Sequence, residues 1–214
     1  MKRLAMLAAV GLALSAAVPA LAQGAPPAQP AAPAPMMQLH IVRGVVASAS
    51  ATALVITGRD GKAINVNLAP NWTVAVLKPI PVDQIKTGSF IGTTEMPQAD
   101  GSGMSLEVHV FPPGVKMGEG HYPWDLQPGA MMTNGTVGTV AAVSGGRALD
   151  VTYPSGTRHV VVPPGAPVVL ITPGGDRALI KPGVSVFLVA APGPDGVLVA
   201  NAITTGENGA APPM

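Results

Sequence analysis

The two halves of the chain repeat one another, and this duplication restricts the possible folds more than any other feature of the sequence. Matching residues recur at the spacing that separates Ile85 from Ile180, and both of these begin an I-K-x-G block. One spacing shared by many residues predicts two copies of a structural unit in tandem. Further pairs at this spacing are Val42 with Val137, Leu54 with Leu149, Gly61 with Gly156, Val66 with Val161, and Asp100-Gly101 with Asp195-Gly196.

Each copy shows the two-residue period that is typical of β-strands. Ile64, Val66 and Leu68 alternate with small or polar neighbours, as in a strand with one buried face. The segments 59–62 and 154–157 separate such strands and predict hairpin turns. The 26 Gly and 24 Pro among 214 residues argue against long helices and a helical bundle. We therefore expect an all-β fold with two tandem small β-barrel or sandwich units, OB-like in size, joined by a structured linker.

The same features predict the domain boundaries. The spacer after the N-terminal segment is uncharged and rich in Pro and Ala, which favours an extended polyproline-II conformation. The expected divisions are a signal peptide at 1–22, the spacer at 23–38, β unit 1 at 39–111, the linker at 112–133, β unit 2 at 134–205 and a flexible tail at 206–214.

The N-terminus has the pattern of a cleavable signal peptide. Lys2 and Arg3 precede an uncharged apolar run, and small residues stand before the predicted cleavage site after Ala22. The run is shorter than the roughly 20 residues that span a bilayer and is interrupted at Pro19, so a retained anchor is the weaker alternative. We therefore expect a periplasmic or secreted protein with no membrane span after cleavage. Since the chain has no Cys, its stability would rest on an apolar core.

Each unit opens with a Val-rich strand, passes a hairpin at Asp60-Gly61 or Ser155-Gly156, reaches the I-K-x-G block, and closes with a D-G turn before a final strand. This order resembles the exported small-barrel repeats of the DUF5666 type, a family without an established activity. The resemblance implies that a strand follows each I-K-x-G block. The linker segment 118–134 is also similar to small exported bacterial proteins sometimes named as metal-transport components, which implies a metal-related setting.

The linker concentrates the side chains that are best suited to binding. A connection of this length is usually functional or disordered, and aromatic side chains with polar tips favour order. Two interpretations stay open: a binding surface for an unknown periplasmic protein or small ligand, or packing of Trp124 between the units with Asp125 capping a turn. The candidate binding residues are Glu119, His121, Tyr122, Trp124 and Asp125.

Copper is the cofactor that the methionine and histidine content would suit. Thioether and imidazole ligands favour copper, although the spacing matches no established metal motif and methionine is also common in cores. A periplasmic copper-binding or transport-accessory protein is therefore the alternative function. The candidate ligands are Met117, His121, Met131 and Met132, with Met36 and Met37 at the end of the spacer and His40 after it.

Catalysis and nucleic-acid binding have little support in the sequence. It contains no nucleophile elbow, phosphate-binding loop or dinucleotide fingerprint, and it has four His and no Cys. Charged residues make up 11% of the chain and aromatic residues 3%, so a basic groove lined with aromatic side chains on which bases stack is not indicated. Glu107 and His109 share a strand face opposite Val108, which predicts a solvated polar face. We therefore expect a non-enzymatic binding or assembly module that presents the linker on a two-barrel scaffold.

Overall fold

The computed structural model of the protein describes residues 39–144 and 146–214, and in this part the chain is all-β. The predicted signal peptide and spacer lie outside the described residues. Among those described, no helix has the length and apolar character to cross a membrane. The strands are β1 (His40–Ala49), β2 (Ala53–Gly58), β3 (Ala63–Pro79), β4 (Phe90–Pro97), β5 (Gly103–Val110), β6 (Gly120–Pro123), β7 (Met131–Val143), β8 (Gly146–Tyr153), β9 (Gly156–Val162), β10 (Val168–Gly175), β11 (Ser185–Pro192) and β12 (Leu198–Gly206).

The first closed barrel combines strands from both repeats. β1, β2 and β3 pair in sequence order, β1 pairs with β11, and β11 pairs with β12. The ring closes where β12 runs parallel to β3. Three strands of this barrel therefore come from the first repeat, and the last two come from the second.

A second ring of five strands is built in the same way from the remaining elements. β7, β8 and β9 of the second repeat pair in order, and β4 and β5 of the first repeat complete the ring through β7 and β9. The duplication predicts two units side by side along the chain, but the repeats exchange their last two strands. The chain reaches the second ring through β3, whose 17 residues continue beyond its pairing with β2.

β3 and β10 connect the two rings by antiparallel pairing. Leu77 lies opposite Ile171, and Val76 lies opposite Thr172. The registers of β12 on β3 and of β5 on β10 make Leu77 equivalent to Ile171, so the repeat maps this pair onto itself. The contact is therefore isologous, as at the twofold axis of a dimer, although it lies within one chain.

The repeat spacing changes by one residue at the hairpins. Val66 and Val160 occupy equivalent positions, because each pairs with the leucine of the preceding strand. The ungapped match of Val66 with Val161 is therefore wrong. The first turn holds three residues at 59–61 between its paired ends, whereas the second holds two at 154–155.

Each ring encloses its own hydrophobic core, and both cores mix the two repeats. In the first core, Leu54 of the first repeat packs in one cluster with Leu188 and Ile203 of the second. The second core combines Ile91 from β4 with Leu149 from β8. Burial of a large apolar side chain stabilises by about 1.5–3 kcal/mol, so the exchange is held by the core and not only by backbone pairing.

The strand exchange predicts which strands a cavity in each core will destabilise. Replacement Leu188→Ala should destabilise the protein by about 2–5 kcal/mol, the usual cost of truncating a buried leucine. Hydrogen exchange should then quicken most in 40–79, since Leu188 packs in the first barrel. In the matched variant Ile91→Ala, the largest increase should fall in 131–162. An increase centred on β7 to β9 for Leu188→Ala would contradict the strand exchange.

Candidate functional site

The linker is folded and adds a strand to the second ring. β6 pairs antiparallel with the first half of β7, with His121 opposite Thr133. After β6, the Trp124 N–H donates to the Ala130 carbonyl at 2.9 Å, which closes the turn before β7. Gly118 precedes the strand with a φ of 62°, a conformation in which a side chain would be strained. These contacts fix the backbone of β6 and of Trp124.

Two of the five candidate binding residues, Trp124 and Asp125, hold the linker against the first barrel. The guanidinium carbon of Arg43 lies 5.6 Å from the ring centroid of Trp124 and 5.3 Å from that of Phe187, so it lies against both rings. Its Nη1 donates to Asp125 Oδ2 at 2.7 Å, and its Nε donates to the Met214 carbonyl at 2.8 Å. Asp125 therefore pairs with Arg43, and Trp124 serves packing between the linker and β1.

Tyr122 anchors the linker to β7. Its hydroxyl donates to the Gly118 carbonyl at 3.2 Å and accepts from Asn134 Nδ2 at 2.7 Å. Burial raises the pKa of the Tyr122 hydroxyl, so it stays neutral. The ring also lies edge-on to Trp124 at a centroid distance of 6.2 Å. Tyr122 and Trp124 thus form one aromatic pair that orders the linker.

His121 and Glu119 remain accessible. The His121 side chain is 24% exposed, its Nδ1 lies 2.8 Å from Thr133 Oγ1, and its ring stacks on Tyr153. Burial and then the charge of Arg158 lower the pKa of His121, which favours the neutral imidazole. Glu119 is exposed, and its carboxylate lies 4.0 Å from the Lys116 ammonium, the loose geometry of a surface pair.

Glu95, which the sequence did not single out, is fully buried beside His121. Its Oε1 accepts from Arg158 Nε at 2.5 Å and lies 3.8 Å from His121 Nδ1. Burial raises the pKa of Glu95, and the hydrogen bond and charge of Arg158 oppose that rise. Oε2 has no hydrogen-bond partner among the described residues and lies against Gly103, where a Cβ would overlap the carboxylate.

A second buried pair joins Glu107 and His109, and it corrects the prediction of a solvated face. Glu107 is fully buried, and its Oε2 lies 3.0 Å from His109 Nδ1. Its Oε1 accepts from the N–H and the hydroxyl of Thr94, both at 2.8 Å. The face does lie opposite Val108, as alternation requires. It is buried, and Asn134, which the linker holds in place, lies with His109 over Gly92.

Comparison of the two repeats shows that the fold does not require these polar residues. β4 and β5 correspond to β11 and β12, with Glu95 opposite Ser105 where Ala190 lies opposite Ala200. The first-repeat residues are buried and polar, whereas most second-repeat counterparts are apolar. The contrast between repeats is the sequence signal that could have identified Glu95. The corresponding pairs are Thr93 and Leu188, Thr94 and Val189, Glu95 and Ala190, Ser105 and Ala200, and Glu107 and Ala202.

The candidate copper ligands are not brought together as one set. Met117 is 64% exposed in the linker, whereas Met132 is buried. Met131 and Met132 are consecutive in β7 and therefore point to opposite faces of the sheet. Within 39–144 and 146–214, no group of three or more His, Asp or Glu side chains could hold a metal ion. Met36 and Met37 lie outside the described residues, and copper binding stays a prediction.

Removal of the Arg158 charge should expose the cost of burying Glu95. We expect Arg158→Met to lower the free energy of unfolding by about 3–5 kcal/mol at pH 7, the usual effect of leaving a buried charge unpaired. A raised folded-state pKa means that Glu95 favours the folded state at low pH, and this contribution is lost as pH rises through that pKa.

The deficit of Arg158→Met should therefore shrink between pH 7 and pH 5 in urea unfolding followed by circular dichroism. Addition of Glu95→Gln to this variant should restore much of the stability at pH 7. The exposed Arg59→Met is the control, expected within about 0.5 kcal/mol of the wild type. A pH-independent deficit that Glu95→Gln does not relieve would contradict the buried-charge explanation.

The Arg43 contacts predict that Trp124 is needed for stability. Trp124→Ala should lower the free energy of unfolding by at least about 2 kcal/mol, through lost aromatic packing and the lost contact with Arg43. Trp124→Phe, which keeps a ring over the guanidinium, should lose less than half as much in the same unfolding measurement. Equal stability of Trp124→Ala and the wild type would show that this contact is not an anchor.

Comparisons with known protein families, with curated proteins and with solved structures find no match to this chain. A small β-barrel scaffold carries many unrelated functions, so its architecture does not supply one.

Proposed function

We propose that the protein is a non-enzymatic, exported binding module that recognises an extended segment of a partner protein along β6. The scaffold in this proposal is a pair of OB-like barrels with exchanged strands, consistent with the resemblance to DUF5666 repeats. Export rests on the signal-peptide pattern of residues 1–22. The observation that carries the proposal is the position of β6 in the sheet.

Among the strands of the described chain, β6 has one edge free along its whole length. It pairs with β7 alone, whereas every other strand there has at least two neighbours. Closed barrels have no edges, so the linker supplies the place where a further strand could add. Strand addition to an exposed edge is a common mode of peptide recognition, with backbone hydrogen bonds giving affinity and side chains giving specificity.

The hydrogen-bonding direction of β6 leaves the backbone N–H and carbonyl of His121 facing away from β7. The Trp124 N–H points to β7, and backbone groups alternate sides along a strand. By this alternation, the Tyr122 groups also point to β7, and the N–H and carbonyl of His121 point away from it. The contact between the His121 and Thr133 side chains supports this direction. Side chains approach most closely at pairs that exchange no backbone hydrogen bonds, and His121 lies opposite Thr133.

The linker side chains divide into anchors and presented groups. Tyr122, Trp124 and Asp125 are engaged within the protein, whereas Glu119 and His121 flank the free edge with exposed surface. Glu107 and His109, the pair that most resembles an acid–base device, is sealed from solvent. This sealing supports binding over catalysis, because a substrate could not reach the imidazole.

Site-specific photo-crosslinking in the periplasm tests this proposal. A benzophenone amino acid at Glu119 should capture a partner protein, while the same group at Arg59, in an exposed hairpin, should not. His121→Pro removes the outward N–H and should abolish capture, because a pairing strand loses that donor. His121→Ala keeps the N–H and should retain part of the capture.

His159→Ala is the control for the loss of a histidine, because His159 is exposed on the second ring. This variant should capture the partner protein as the wild type does. All variants are compared by melting temperature, so that capture is judged only where the fold persists. Capture that survives His121→Pro in a folded protein, or equal capture from Arg59, would contradict recognition along β6.

A further inference from the structure

A depression of about 440 Å³ lies beside the first barrel, apart from the linker. Ala49, Ala51 and Leu54 line it from the β1–β2 region, and Ile180 lines it from the segment before β11. Trp72 and Arg177 complete the wall. The volume is within the range of small-molecule sites, and the wall is apolar except at a few groups.

Arg177 is the charged group of this wall, and it is held in a fixed orientation. Its guanidinium carbon lies 4.6 Å from the ring centroid of Trp72, and its Nε and Nη2 donate to the Trp72 carbonyl at 2.9 and 2.5 Å. The Trp72 indole is itself fixed by donation to the Ala51 carbonyl at 3.2 Å. A cation held in this way binds with little loss of side-chain entropy.

The charge of Arg177 has no carboxylate partner within the described ranges. The neighbouring Asp176 accepts from the Ala178 N–H at 2.8 Å and caps the turn, and it forms no ion pair with Arg177. Arg177 is exposed, and its Nη1 has no hydrogen-bond acceptor in that part of the chain. The nearby Asp176 charge disfavours a dianion and leaves a monoanion as the better match.

The second ring shows that neither side chain is required to build the barrel. The strand registers place Ala166 at the position of Trp72, and the repeat places Val82 at the position of Arg177. The short turns Val82–Gln84 and Arg177–Leu179 correspond, and Val82 packs against the second core. The first barrel therefore carries a cation and an aromatic ring where an apolar pair suffices for folding.

We propose that this depression, which we call the Arg177 site, binds a monocarboxylate with a short apolar body. The planar guanidinium matches carboxylate geometry, and the alanine, leucine and isoleucine side chains accept the hydrocarbon part. The carboxylate belongs either to a free small acid or to the C-terminus of a peptide, which present the same chemistry. The site is independent of β6 and of the proposed recognition of an extended segment.

Titration of the full-length mature protein followed by two-dimensional NMR tests the Arg177 site. The protein has two Trp residues, and the Trp72 indole signal is assigned from Trp72→Phe. Sodium butyrate should shift this signal saturably, whereas neutral butyramide at the same concentrations should not. N-acetyl-dialanine with a free carboxylate, compared with its amide, distinguishes the two sources. Tighter binding of the peptide acid than of butyrate assigns a peptide C-terminus, and the reverse assigns a free acid.

Variants then locate the interaction. Arg177→Gln should weaken butyrate binding at least tenfold, Arg177→Lys should weaken it less, and Arg59→Gln should leave it unchanged. Equal shifts with butyrate and butyramide, shifts that never saturate, or unchanged affinity in Arg177→Gln would each overturn the proposal. The comparison of butyrate with butyramide uses the wild type, so it stands even where a variant loses its fold. Since His121→Ala should not alter butyrate binding, failure here is separate from failure of the β6 proposal.

Discussion

Closure of each ring by strands from the other repeat is the constraint on which the rest of the structure depends. The first barrel closes through β11 and β12, and the second through β4 and β5, while β3 and β10 pair between them. Leu188 and Ile91 therefore stabilise strands that are distant from them in sequence. Closure also satisfies the backbone groups of the rings, and the fold is built without a disulfide.

The second ring carries polar groups because the linker covers them. Glu107 reaches Thr94 and His109, and Glu95 reaches Arg158, so each buried carboxylate has a specific partner. An unpaired carboxylate would be costly to bury, and Oε2 of Glu95 remains the weakest point of this arrangement. The corresponding surface of the first barrel is apolar. The comparison of the two repeats thus shows that an apolar surface is sufficient for folding at these positions. These buried polar residues are therefore specific to the second ring.

The linker both anchors β6 to the protein and presents its unpaired edge, and the proposed function depends on this combination. Trp124 and Asp125 bind it to Arg43 of the first barrel, and Tyr122 binds it to Asn134 of β7. These contacts order β6, while its outer edge pairs with no other described strand and the His121 side chain stays partly exposed. A rigid strand with a free edge is a better receptor for an extended peptide than a mobile loop, because less entropy is lost on binding.

Periodicity and turn residues were sufficient to predict an all-β chain and the hairpins near Gly61 and Gly156, because these depend on local sequence. They could not predict strand exchange, since equivalent strands of two repeats have similar patterns and either could close a given ring. The burial of Glu107 and His109 also escaped prediction: alternation identified their face, but Asn134 and the linker cover it from elsewhere in the chain. The sequence by itself determined the strands and their inward faces. Only the tertiary structure decided which strands meet and which polar groups are sealed from water, because both depend on contacts between residues far apart in the chain.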